Sequence, residues 1–166
     1  MTALLGSWRA MVAACVAGSA AVLAAALFAQ HVAGLAPCVL CILQRWPHAA
    51  AVAFGVLALA LPGALSRMAM IGAALSLLIG VGIAGYHVGV EQHWWAGPDA
   101  CSITTDIGSM TPEQLLRQLS AAPVVPCDEV AWSVFGISMA GWNALASIAL
   151  AALFGHAVLT ARACAP

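Results

Sequence analysis

The chain has 166 residues, 64% of them hydrophobic and only 7% charged, with a formal net charge of −1. So small a polar remainder cannot cover a water-soluble globule, and a chain whose five basic residues face six acidic ones is not expected to bind nucleic acid. A membrane protein is the class that remains.

Charge-free runs cover residues 10–44, 46–66, 68–90 and 130–161. Each contains the roughly 20 apolar residues with which a helix crosses about 30 Å of hydrocarbon. The runs are continuous in Ala, Leu, Val and Gly, without the alternation of a lipid-facing barrel strand. The expectation is an all-α integral membrane four-helix bundle, a single domain over residues 1–166, with spans near 11–31, 46–62, 67–90 and 139–161.

Arg9 followed by an apolar stretch ending in alanines also suits a secretory signal peptide. Met11 to Gln30 is nevertheless longer than the roughly 7 to 15 residues of a signal core, and the sequence after it is equally membranous, which favours a first span.

The second span is entered through Pro37-Cys38-Val39-Leu40-Cys41-Ile42-Leu43-Gln44-Arg45-Trp46-Pro47. A Cys-x-x-Cys pair holds two sulfurs close enough to form and break a disulfide, and a helix N-terminus favours the thiolate that performs the exchange. With a helix beginning near Val39, Cys38, Cys41 and Arg45 share one face at i, i+3 and i+7. Pro47 allows a helix starting near Trp46 instead, which leaves the cysteines in a preceding turn with the arginine still close. Zinc sites use the same cysteine spacing. An arginine at the membrane edge is costly without a role or a partner. Arg45 can stabilise a thiolate, and also the charge that develops on a quinone oxygen; the simpler alternative is a snorkelling anchor for the helix end.

Leu61-Pro62-Gly63 predicts a tight turn joining the second and third spans into a hairpin. In the third span, Gly72, Ala73, Ser76 and Gly80 allow close backbone approach. At its outer end Tyr86, His87, Glu91, Trp94 and Trp95 make a polar and aromatic cluster, with His87 and Glu91 at i and i+4, where a flat ring could bind. Imidazole can donate to a quinone carbonyl or carry the proton that accompanies an electron; plain helix–helix hydrogen bonding is the alternative. His31, His48, His93 and His156 are scattered and receive no role.

All six acidic residues fall in the segment 91–135, read as an extramembrane loop. Thr111-Pro112-Glu113-Gln114 fits a capping box, and Leu115, Leu116 and Leu119 follow it, which predicts a short amphipathic helix at the interface or in ordinary loop packing. Trp94 and Trp95 are expected at headgroup level. Cys101 and Cys127, separated by polar loop, suit a loop-closing disulfide better than a tetrahedral zinc site; such a bond is either a structural staple or redox-active. Cys15, in the first span, and Cys164, in the tail, read as incidental. Arg9, Arg67 and Arg162 fall on one side and Arg45 and Arg117 on the other, so the positive-inside tendency places the acidic loop and its cysteines outside, where disulfides persist.

Together these residues resemble the DsbB family of disulfide bond formation proteins over nearly the whole chain. The likeness rests on Pro37-Cys38-Val39-Leu40-Cys41 with Arg45 four residues further on, on Tyr86-His87, on Val125-Pro126-Cys127-Asp128 followed by Trp132, and on Gly136-Ile137-Ser138-Met139-Ala140-Gly141-Trp142-Asn143. The resemblance implies a four-helix protein of the bacterial inner membrane, with cytoplasmic termini, that reoxidises a periplasmic DsbA-like thioredoxin-fold protein and delivers electrons to a quinone, ubiquinone or menaquinone. It implies that Cys101 and Cys127 form the disulfide that meets the partner, that Cys38 and Cys41 form the pair beside the quinone, and that Arg45 belongs to the quinone site. His87 is a looser match there, and no metal ligand is implied. Two rival readings are a quinone reductase like the vitamin K epoxide reductases, disfavoured by the motif's place at the second helix, and a non-catalytic bundle holding haem or zinc.

Overall fold

Four helices are long and apolar enough to cross a membrane. The computed structural model describes residues 7–98, 111–113, 116 and 126–163. Within them, α1 is Trp8–His31, α2 Val39–Leu43, α3 Arg45–Ala60, α4 Gly63–Glu91 and α5 Met139–Ala163, with a two-stranded hairpin, β1 Ser133–Val134 and β2 Ile137–Ser138, ahead of α5.

Local chemistry explains where the helices start. Ser7 caps α1, its Oγ accepting from the Ala10 N–H at 3.2 Å, so the helix begins three residues before the expected span. Both alternatives for the second span hold in part: a short helix does begin at Val39, breaks at Gln44, and α3 restarts at Arg45. Pro47 therefore sits in the first turn of α3, where its missing N–H removes no helical bond. The turn at Leu61-Pro62-Gly63 forms as expected. Gly63 takes a φ of +56°, a backbone conformation that suits a residue without a Cβ.

The four long helices pack as a ring in which α1 neighbours α3 and α5, and α4 neighbours α3 and α5. Lipid chains are as apolar as leucine, so close packing of small residues replaces the hydrophobic drive between helices. Gly55 of α3 shows how close: a Cβ there would lie 2.3 Å from Val16 Cγ2 of α1. Phe154, Met70, Leu77, Val12 and Cys15 fill the centre and are fully buried, while Leu75, Leu78, Ile79 and Ile148 point outward, as lipid-facing residues should. At the C-terminal end of α3, Arg9 Nη2 donates to the Leu59 carbonyl at 2.7 Å and Ser66 Oγ to that of Ala58 at 2.6 Å, satisfying carbonyls that a helix end leaves without partners.

The four-helix expectation holds, with a short β-hairpin added ahead of α5. Ser133 pairs with Ser138 and Val134 with Ile137 across a turn in which Phe135 and Gly136 both have positive φ, 52° and 76°. Turns of that kind favour Asn-Gly or Asp-Gly, so Phe-Gly gives little warning of one. Trp142 Nε1 donates to the Val134 carbonyl at 3.2 Å, fastening the hairpin to α5. Of the expected interfacial helix, Pro112, Glu113 and Leu116 are described and are helical; Gln114, Leu115 and Leu119 lie outside the described residues.

Candidate functional site

The site grows from the start of α2. Cys38 is the N-cap residue, its Sγ accepting from the Cys41 N–H at 3.2 Å, and the two free thiol sulfurs stand 2.9 Å apart. One helical turn thus brings both sulfurs to one side, as the Cys-x-x-Cys spacing requires. The thiol of Cys41 holds Cys38 well below the ordinary thiol range; burial opposes the shift, while the His87 side chain and the Cys41 N–H reinforce it.

Across the bundle, His87 of α4 directs Nε2 at the Cys38 sulfur from 3.6 Å. Cys127 arrives from the loop before β1, is fully buried and is disulfide-bonded. Its Sγ, the Cys38 Sγ and a ring nitrogen of His87 all lie within 4.8 Å of one another. A metal ion could bridge such a spacing, but a sulfur held in a disulfide supplies no thiolate ligand to it. Cys101, Arg117 and Cys164 lie outside the described residues.

Beside the sulfurs is a cavity of about 440 Å³. Ala25, Ala26, Ala29, Met139 and Ala146 give it an apolar wall, and Cys38, Cys41, Arg45, His87 and Glu91 give it a reactive one. Arg45 lines the cavity with both cysteines even though the helix breaks between them at Gln44. Its Nη1 donates to Gln30 Oε1 at 2.7 Å, and its buried Nε finds no partner among the described residues. An unmade donor in an apolar recess is costly, and a ligand oxygen would satisfy it.

Sequence reasoning missed three residues here. Gln44 Nε2 donates to His87 Nδ1 at 2.7 Å, Asn143 Nδ2 donates to Gln44 Oε1 at 2.7 Å, and His48 Nε2 meets Asn143 Oδ1 at 2.8 Å. Asn143 is the only asparagine in the chain and His48 follows Gln44 by one helical turn; polar residues inside otherwise apolar spans were the signal available. Glu91 turns one oxygen to His87 Nε2 at 3.9 Å and takes a hydrogen bond from Ser138 Oγ on the other.

The aromatic cluster at the end of α4 divides. Tyr86 and Trp95 stack on each other, centroids 5.9 Å apart and planes 11° from parallel, and Trp95 Nε1 donates to the Tyr86 carbonyl. Trp95 packs so tightly on Gly89 that a Cβ there would be 2.0 Å from the indole. Tyr86, Trp94 and Trp95 are exposed and do not line the cavity: Tyr86 is turned about 100° from His87 on α4, and the two tryptophans lie beyond its end at Glu91. The ring-binding cluster expected there reduces to His87 and Glu91.

A family model, Disulfide bond formation protein DsbB, matches residues 8–157. The chain belongs to the DsbB family. Among proteins named Disulfide bond formation protein B, that of Stutzerimonas stutzeri is 31% identical over 155 residues, covering 89% of this chain and 92% of its own. That of Azoarcus sp. is 32% identical over 170 residues, covering 95% and 99%. That of Verminephrobacter eiseniae is 34% identical over 162 residues, covering 88% and 85%. No solved structure matches the chain. With its four spans, this DsbB-family chain is a multi-pass membrane protein of disulfide bond formation.

Proposed function

We propose that the chain is a thiol oxidase of the bacterial inner membrane that takes two electrons from a periplasmic DsbA-like thioredoxin-fold protein and passes them to ubiquinone or menaquinone. The observation that carries this reading is the meeting of Cys38, His87 and Cys127 within 4.8 Å at the mouth of an apolar cavity. In the proposed cycle a partner thiolate attacks the Cys101–Cys127 disulfide, and the partner's second thiol displaces the mixed disulfide; the partner leaves oxidised and the loop pair reduced. The loop dithiol then exchanges with the Cys38–Cys41 disulfide, regaining its own bond and leaving two thiols beside the cavity. The free Cys38 and Cys41 next to a disulfide-bonded Cys127 correspond to that step.

The residues present suit a quinone head group: the cavity is apolar, has room for a ring, and carries the unpartnered Nε of Arg45. Arg45 and His87 would hold it, and it would supply a two-electron, two-proton acceptor. The chain's own contribution is electrostatic. The guanidinium favours negative charge on a bound oxygen and on sulfur, and His87 Nε2 steadies the Cys38 thiolate. Since 30 mV is worth about 1.4 kcal/mol for a two-electron couple, small differences between the two cysteine pairs set the direction of flow. The cysteine side faces the periplasm and both termini the cytoplasm in this reading.

The test is a reconstituted assay with a reduced thioredoxin-fold donor and quinone. Cys38→Ser and Cys101→Ser are each expected to abolish turnover, and Arg45→Ala to raise the apparent KM for quinone. Full turnover by Cys38→Ser would sink the relay; a Soret band or stoichiometric zinc in the purified protein would favour the non-catalytic bundle instead.

A further inference from the structure

The buried amides between the helices make a hydrogen-bond chain with a direction. Its fixed point is Gln44: Nε2 donates to its own helix at the Leu40 carbonyl, 3.3 Å away, as well as to His87 Nδ1. A flipped amide would set oxygen against oxygen at Leu40, so Gln44 must present N–H to His87 and its carbonyl to Asn143. Asn143 then donates through Nδ2 and has only Oδ1 left for His48, which therefore donates from Nε2. Gln44 is 6% exposed, His48 1% and His87 3%, and Asn143 between them is half-buried.

From this geometry we infer that Gln44 and Asn143, braced by His48, are positioning residues that fix the ring tautomer of His87, so that the neutral imidazole carries its proton on Nε2 and donates it as a hydrogen bond to the Cys38 sulfur. Nδ1 is already engaged as an acceptor, and both groups facing Nε2, the Cys38 sulfur at 3.6 Å and Glu91 Oε1 at 3.9 Å, call for a donor. Oppositely directed, the same chain would put a bare nitrogen lone pair against the sulfur and oppose the thiolate. α5, which carries no cysteine at the site, thereby backs through Asn143 the polarity that the Leu40 carbonyl fixes in Gln44. The titratable and charged groups around this point are Cys41 on α2, Arg45 and His48 on α3, Glu91 on α4, and Glu129 in the loop before β1; Gln30 of α1 and Asn143 and Ser147 of α5 are uncharged.

The inference rests on the proposed function only in treating Cys38 as the reactive sulfur; its readouts need no turnover. The probe is the full-length reduced protein in lipid nanodiscs, labelled with 15N-histidine, with the His87 resonances assigned by their loss in His87→Asn. Ring 15N shifts report which nitrogen bears the proton, and peptide mass spectrometry follows Cys38 alkylation by iodoacetamide against pH. Wild type should show protonated Nε2. Asn143→Asp keeps the shape but only accepts, and its charge should outweigh the longer neutral bond to Leu40, flip Gln44 and move the His87 proton to Nδ1. The alkylation midpoint should then rise by about one pH unit, roughly a tenfold slower reaction below it. Asn143→Leu should give a tautomer mixture and a smaller rise; if it does not fold, the near-isosteric Asp variant decides alone. An unchanged tautomer in Asn143→Asp would overturn the inference, even with a raised midpoint, since the added negative charge alone would explain that. Loss of turnover by Cys38→Ser tests the function and leaves this chain untouched, so the two can fail separately.

Discussion

Around Phe154, Val12, Leu77 and Met70 the bundle interior is filled by apolar and small side chains that touch without direction, whereas around His87 buried polar atoms are joined by directed hydrogen bonds, with Arg45 Nε and His48 Nδ1 left over among the described residues. The first region meets the membrane's demand for close packing. The second costs desolvation at every buried polar atom, and its partners must all be correctly aimed to recover it. The comparison teaches that shape holds this fold together while hydrogen-bond direction tunes its chemistry, so substitutions in the two regions should fail in different ways.

The largest contrast is between Cys38→Ser and Phe154→Ala. Cys38→Ser should lower thiol oxidation on the order of a thousandfold or more in a protein that still folds, because it deletes a reacting atom and opens no cavity. Phe154→Ala should cost roughly 3 to 5 kcal/mol of stability by opening a cavity, while the folded fraction keeps its turnover. Denaturation in mixed micelles beside the oxidase assay measures both, and a folded Phe154→Ala protein without activity would break the distinction.

Next in size, Gly55→Leu should destabilise by about 1 to 3 kcal/mol or more, since Val16 must move to admit even a Cβ. Ser138→Ala should cost about 1 kcal/mol, because Ser138 Oγ both accepts from the Gly141 N–H at the start of α5 and donates to Glu91. It belongs to both regions, so it should also lower turnover; a pure stability loss would show that Glu91 needs no such support.

The effect of pH sharpens the polar side of the comparison. The folded pKa of Cys38 is depressed, so its thiolate adds stability to the reduced protein that is fully present above the ordinary thiol value near 8.5 and is lost as pH falls through the depressed value. Reduced protein should therefore become less stable on acidification across that window, and Cys38→Ser should flatten the dependence. Smallest of all, Leu78→Ala, on the lipid-facing side of α4, should change stability by no more than about 0.5 kcal/mol.

The amino-acid sequence alone determined the four spans, the turn at Gly63, the Cys-x-x-Cys pair beside Arg45 and the family resemblance, because hydropathy, turn chemistry and the spacing of cysteines are local properties of a chain. It offered His87 and Glu91 for a ring-binding site but also expected Tyr86, Trp94 and Trp95 to frame the same ring, where the rotation of Tyr86 along α4 and the position of the tryptophans past its end keep them from the cavity. Only the tertiary structure decided that Gln44, His48 and Asn143 meet His87, that Cys127 reaches Cys38, and that a hairpin precedes α5. Those contacts depend on the rotational phase of helices far apart in sequence and on where a loop returns, and neither is written in the pattern of apolar residues along any one of them.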